Sequence, residues 1–170
     1  MTEPALYLLV GYPGAGKTSV ARTISQATGA VHLWSDAERH KMFANPTHSQ
    51  QESLSLYDHL NQRTDELLAE GKSVVFDTNF NFQADRQKLR EIADRHNAST
   101  VILWINTPAI VAKKRAVGTE INRNGYMVSM SDEQFDDIAA KLEQPTEDEK
   151  VIKIDGTKLD EVDVMQLLSQ

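Results

Sequence analysis

The sequence contains no cysteine in 170 residues. Disulfide bridges and cysteine-ligated zinc are thereby excluded. It also lacks any apolar window long enough to span a membrane. Met1-Thr2-Glu3-Pro4 carries no basic region and leads directly into an apolar run. No secretory leader is read there, and the cytoplasm is the expected compartment. Internal repeats and low-complexity stretches are absent too, and one domain over residues 1–170 is expected. Positive charge is scarce: 18 Lys and Arg against 25 Asp and Glu leave a formal net charge of −7. Extended nucleic-acid binding is not expected of such a balance. None of the five histidines stands in an H-E-x-x-H pattern. A monomer is the default assembly.

What is present begins with Gly11 to Thr18, which read G-Y-P-G-A-G-K-T. Every fixed position of the phosphate-loop pattern G-x-x-x-x-G-K-[ST] is filled. Ala5 to Val10 ahead of it form an apolar run of buried-strand length, and Val20, Ile24 and Ala27 behind it share a helical face. Strand, glycine loop and helix are the context the motif needs. Gly11, Gly14 and Gly16 permit backbone geometries that a Cβ disfavours, so the amides can turn inward around phosphate oxygens. The helix N-terminus adds a positive dipole end. Gly11, Tyr12, Pro13, Gly14, Ala15, Gly16, Lys17, Thr18 and Ser19 are therefore the candidate nucleotide-binding residues. Lys17 would reach the β- and γ-phosphates, and Thr18 would offer a hydroxyl to Mg²⁺.

Further along, strand and helix patterns alternate. Gly29 stops the first helix, and residues 30–34 read as a strand. Ser35 and Glu38 have capping-box spacing, which predicts a helix from Asp36; Ser49 and Glu52 repeat it before a long helix ended by Gly71. Residues 73–77 form a strand ending in Asp77. A helix with Leu89, Ile92, Ala93 and His96 on one face follows, then a strand at 100–105. Thr107-Pro108 opens another helix, with Pro at the first helical position. Residues 118–130 are polar and glycine-containing and read as a mobile loop. Ser131 and Gln134 cap a helix carrying Phe135, Ile138, Ala139 and Leu142. A strand at 151–154 and a helix at 158–168 complete the chain. Such alternation implies an α/β fold with a parallel sheet and helices on both faces.

Ligands on such sheets lie at the carboxyl ends of the strands. The glycine loop, Asp36 and Asp77 all fall there. Asp77 can hold Mg²⁺ or cap the turn after its strand. Asp36 can accept a proton from an attacking hydroxyl, or simply favour the first turn of a helix. Arg39 shares a face with Asp36, as a surface ion pair or as a site for an anionic acceptor group. Arg115 and Arg123 can neutralise a transferring phosphoryl group from a closing loop, or be solvated cations at a helix end. Tyr12 can touch the nucleotide or pack nearby.

These segments carry a resemblance. G-Y-P-G-A-G-K-T at 11–18, W-S-D-A-E-R at 34–39, V-V-F-D-T-N-F at 74–80, R-N-G-Y-M-V-S at 123–129 and L-E-Q-P at 142–145 make the chain similar to small P-loop kinases. These are AAA-type ATP-binding domains of the group that includes polynucleotide 5′-kinase, zeta toxin and chloramphenicol phosphotransferase. The resemblance implies a three-layer P-loop NTPase fold. Its five parallel strands would run in the order 2-3-1-4-5, with a short lid at about residues 115–130. It implies ATP and Mg²⁺ as cofactors. Asp36 matches the base, Arg39 an arginine that binds acceptor phosphate, and Asp77, Thr78 and Asn79 the region between metal and acceptor. Arg115 and Arg123 match lid arginines, and the turn at Gly156 lies where the adenine base passes.

Three functions fit. The first is an ATP-dependent kinase for a hydroxyl of a small or nucleotide-like acceptor. The second is a polynucleotide 5′-hydroxyl kinase. The third is a nucleotide-dependent binding switch, since phosphate loops serve switches as well.

Overall fold

The structure is a computed structural model that describes residues 3–79, 82–118, 121–123, 126–128 and 130–170, with backbone alone at 121–123 and 126–128. The elements run β1 (Ala5–Val10), α1 (Lys17–Thr28), β2 (Val31–Trp34), α2 (Ser35–Met42), α3 (Gln50–Ala69), β3 (Val74–Asp77), α4 (Gln83–Arg95) and β4 (Ser99–Asn106). Then come α5 (Ala109–Ala116), β5 (Ile121–Arg123), β6 (Tyr126–Val128), α6 (Asp132–Ala140), β7 (Val151–Asp155) and α7 (Val164–Leu168), with short 3₁₀ turns at Glu147–Glu149 and Leu159–Glu161.

Five strands form one parallel sheet in the order β2-β3-β1-β4-β7. Numbered among themselves they run 2-3-1-4-5, as the resemblance implies. β1 is central, with Tyr7 opposite Val75 on one side and Val101 on the other. Its continuous apolar run follows from burial on both faces. Leu6, Leu8 and Val10 join Val74, Phe76 and Ile102 beneath α3 and α4, together with Leu60, Leu67, Leu89 and Ile92. Leu9, Val75, Leu103 and Ile105 point the other way, against Val20, Ala21 and Ile24 of α1 and Val164 of α7. Three layers result. A third cluster joins Ala112 and Ala116 of α5 to Phe135 of α6, with Tyr12 packed on it.

The boundaries differ from expectation in several places. Ser35 is the first helical residue rather than a cap: Trp34 occupies the cap position with no side-chain bond, and Glu38 pairs with Lys41 and His59 instead. Pro108 precedes α5 as its cap, because the Thr107 hydroxyl donates inward to Ala15 O at 2.8 Å. The expected helix at 158–168 splits, since Val162 is extended and Asp163 caps a new helix through Gln166 N. The expected loop at 118–130 contains the antiparallel pair β5–β6. The full capping box at Ser131 and Gln134 is formed as read, although α6 ends before Leu142.

One buried ion pair joins the α4 layer to the turn ahead of β7. Arg86 Nε and NH2 donate to the two carboxylate oxygens of Glu149 at 2.7 and 3.0 Å, and NH1 donates to Glu143 O at 3.0 Å. Arg86 is fully buried. Replacing it by leucine strands the Glu149 carboxylate in the interior, and loss of one partner of such a pair costs about 3–5 kcal/mol. Arg86→Leu should therefore lower the thermal midpoint by about 10 °C in a calorimetric scan. A shift of under about 2 °C would mean that water reaches Glu149 freely.

Candidate active site

The site is assembled at the carboxyl ends of β1, β2 and β3. Directly after β1, the glycine loop turns back under α1. Gly14 and Gly16 have φ of 79° and 111°, a region that L side chains rarely adopt. Lys17 folds over the loop, donating from Nζ to Gly11 O at 2.9 Å and Tyr12 O at 2.8 Å. The N-terminus of α1 has no side-chain cap and no acidic residue in its first turn. Its first amides, the positive dipole end and the buried Lys17 are together an anion cradle. The donor set thus fits a nucleotide phosphate tail. Thr18 sits half-buried at the start of the helix, and Ser19 is exposed beside it. Tyr12 tilts against Phe135 with ring centroids 6.1 Å apart. Pro13 and Ala15 are buried.

Asp77 ends β3 and is 2% exposed. It shares the sheet face of Val75, which packs on α1, so it lies on the phosphate-loop side. His32 Nε2 lies 2.9 Å from its Oδ2. An ionised carboxylate only accepts, so the imidazole donates. His32 went unread in the sequence as a site residue. The signal was there in register: β2 and β3 pair Trp34 with Asp77, and His32 is two residues back on the same face. Thr18 and Asp77 suit Mg²⁺, a hard ion that takes oxygen ligands and retains waters. No group of three or more His, Asp or Glu that could hold a metal ion occurs among the described residues.

Asp36 is the second residue of α2, next to the end of β2. Burial raises its carboxyl above the ordinary 3.8, and the Asp77 charge pushes the same way. His48, Arg39 and His40 pull against them. Asp36 follows β2 and Asp77 ends β3, and the two strands are neighbours in the sheet, so both carboxylates lie at the same end of it. Thr78 follows on the opposite sheet face, where its buried Oγ1 has no hydrogen bond of good geometry and the Tyr57 hydroxyl is its polar neighbour. Tyr57 donates weakly to Asn79 O at 3.4 Å, and burial raises its hydroxyl pKa. Arg39 is 8% exposed and engages Glu52 and Ser53 of α3.

Arg115 lies in the last turn of α5, ahead of the hairpin. Its NH1 donates to Gly156 O at 3.0 Å and reaches Gly14 O and Ala15 O at 3.5 Å. The side chain of Arg123 falls outside the described residues, as do Phe80 and much of the expected lid. Beside Gly156 an open depression of about 460 Å³ is lined by Asn106, Pro108, Lys153, Asp155 and Thr157.

The family model described as an AAA domain matches residues 6–145. Among curated proteins nothing matches this sequence. Solved structures share the fold. A gluconokinase from Sinorhizobium meliloti is 22% identical, covering 99% of this chain and 92% of its own, with a TM-score of 0.70. A sugar kinase from Janibacter is 21% identical over 98% and 91%, TM-score 0.67. An APS kinase from Mycobacterium tuberculosis, solved with AMPPNP and APS, is 17% identical over 100% of both chains, TM-score 0.68. The fold is therefore that of the small P-loop kinases.

Asp36 has a stability signature. A carboxyl whose folded pKa is raised binds its proton more tightly when folded. The chain then loses stability as pH climbs from about 4 through the raised value, and stays destabilised above it. Asp36→Asn, which never ionises, should match the parent near pH 4 and exceed its thermal midpoint at pH 7. Parallel midpoint curves for the two proteins from pH 4 to 8 would rule out the raised pKa.

Proposed function

We propose that this chain, which belongs to the AAA domain family, is an ATP-dependent phosphotransferase. It would move the γ-phosphate to a hydroxyl of a small or nucleotide-like acceptor. The observation that carries this reading is the position of Asp36 just after β2 and of Asp77 at the end of the neighbouring β3, at the sheet end that bears the phosphate loop, with the Asp36 proton affinity raised by burial and by the Asp77 charge. A carboxylate of raised pKa is a better base than a solvated one, and the ideal catalytic pKa lies nearer the working pH.

In this reading the amides of residues 11–19 and Lys17 hold the phosphate tail of ATP. The base lies along the turn at Gly156, beside the depression next to it. Mg²⁺, held through Thr18 and Asp77, supplies positive charge to the phosphate oxygens when bound. Asp36 accepts the proton of the acceptor hydroxyl as its oxygen bonds to the γ-phosphorus and the bond to the β–γ bridging oxygen breaks. ADP departs with that bond's electron pair. Thr78 and Asn79 border the acceptor, and Arg39 lies alongside. Arg115 and Arg123 are assigned to the charge that builds on the transferring group. A binding switch without an acceptor has no need of a base at Asp36, and the raised proton affinity there favours transfer over a switch.

The test follows γ-labelled ATP and Mg²⁺ with a broad pool of metabolites and oligonucleotides, separating free phosphate from labelled product. A labelled product is expected. Asp36→Asn should retain ATP affinity while kcat falls ~10²-fold or more. Lys17→Ala should weaken nucleotide binding and turnover together. Slow phosphate release with no labelled product, unaltered by Asp36→Asn, would favour the switch.

A further inference from the structure

Arg39 and Glu52 meet where α2 lies against α3. Arg39 NH1 pairs with Glu52 Oε1 at 2.5 Å, and NH2 donates to Ser53 Oγ at 3.3 Å. The same carboxylate gathers three further donors from the segment between the helices: Thr47 N at 2.7 Å, Thr47 Oγ1 at 3.0 Å and His48 N at 3.2 Å. Both ions are nearly out of solvent, at 8% and 7% exposure. Glu52 thus ties three pieces of chain together: the helix that begins with Asp36, the 43–49 segment, and α3. His48 adopts φ of 57°, a conformation that a non-glycine residue keeps only when its surroundings impose it. Here the Glu52 carboxylate fixes its amide.

An arginine that binds a phosphate presents its donor fork to the ligand. Arg39 instead presents it to Glu52 and Ser53. Lys41, the other permanent cation of α2, is held by Glu38 at 2.7 Å. On this side, among the described residues, Glu38 and Glu52 neutralise the two cations of α2, and Asp36 and Asp77 are the carboxylates without a Lys or Arg partner. An incoming phosphate would find the donors of Arg39 and Lys41 engaged and like charge at Asp36, whereas an uncharged hydroxyl compound would meet Asp36 as an acceptor for its proton. Burial and Arg39 both disfavour the charged form of His48, so it adds little positive charge.

We infer that Arg39 is a positioning residue that holds α2 and the 43–49 segment through Glu52, and that the acceptor is an uncharged polyhydroxy compound rather than a phosphate-bearing nucleotide end. The acceptor half of this inference rests on the phosphotransferase reading above.

The test compares the parent with Arg39→Gln, Glu52→Gln and the double variant. The double exchanges both ions for amides and leaves no lone buried charge. Amide hydrogen exchange at Thr47 and His48 should rise about tenfold or more in each single variant, and no further in the double. With γ-labelled ATP, label should enter a pool of neutral polyols and hexoses, not one of nucleoside 3′-monophosphates and 5′-hydroxyl oligonucleotides. For the labelled acceptor, both single variants should lose about 10- to 100-fold in kcat with KM within about threefold of the parent. Calorimetry of the AMPPNP-loaded protein with a nucleoside 3′-monophosphate should give the same result for parent and Arg39→Gln. Label confined to the phosphate-bearing pool, or a phosphate affinity that falls tenfold in Arg39→Gln alone, would overturn the inference. No label in either pool would remove the phosphotransferase reading and the acceptor class with it. Exchange and calorimetry would still decide the role of Arg39.

Discussion

The site depends on how closely the glycine loop is packed, because its glycines leave no room for a side chain. A Cβ built on Gly14 would lie 2.3 Å from Ala112 O, and one on Gly16 2.4 Å from the Leu159 side chain. One on Gly156 would meet Thr107 Oγ1 at 1.7 Å and Ala15 O at 2.7 Å. The loop is therefore wedged between α5 on one side and the β7–α7 connection on the other. Thr107 and Arg115 satisfy the loop carbonyls that this packing removes from water. Lys17 does the same for Gly11 and Tyr12. An anion site prepared this way loses little ordering entropy on binding. Residues 156–159, although beyond the stretch matched by the family model, are part of what holds the loop.

Opposite the loop, order comes from charge. Desolvation at Asp36, reinforced by the Asp77 charge, disfavours its ionised form and shows as a raised pKa. His32 limits the cost at Asp77 by occupying one carboxylate oxygen and orienting the other. Glu52 shows the reverse case. The Thr47 amide, then Arg39 and the Thr47 hydroxyl, hold its carboxyl down at about 2 against the effect of burial. One acid beside the loop is strained by its surroundings and the other satisfied by them. That division separates a group suited to move a proton from one suited to hold structure.

Much of this was legible in the chain. The strand–loop–helix at 5–28, the alternation behind it and the site carboxylates at strand ends all follow from local pattern and residue type. The misread features share a cause. Ser35 and Glu38 have the spacing of a capping box, but Glu38 finds better partners in Lys41 and His59. Thr107 leaves the helix start for Ala15, 92 residues away. Glu52 looked like the acid of a capping box at Ser49, yet only the Ser49 half forms, because Arg39, Thr47 and His48 claim the carboxylate. His32 acquires its role from a partner 45 residues on, visible only once β2 is set beside β3. In each case a tertiary partner outcompeted the local one, and local spacing carries no record of that competition.

The two halves of the site are consequently built from different material. The phosphate-loop half is largely backbone, joined by the side chains of Lys17, Thr18 and Asp77, and packing against α5 and the β7–α7 connection fixes it. Almost any change there, even one methyl group on Gly14, Gly16 or Gly156, meets a neighbour. The proposed acceptor side is made of side chains: those of α2, the 43–49 segment and α3, with Thr78 and Asn79 just after β3. Residues there can change without moving the phosphate loop, provided that something still fixes α2 against α3. Substitutions on that side are therefore less constrained by the packing of the phosphate loop than substitutions within it. The Arg39–Glu52 pair is the part of this side that resists such change, because it ties α2, the 43–49 segment and α3 together.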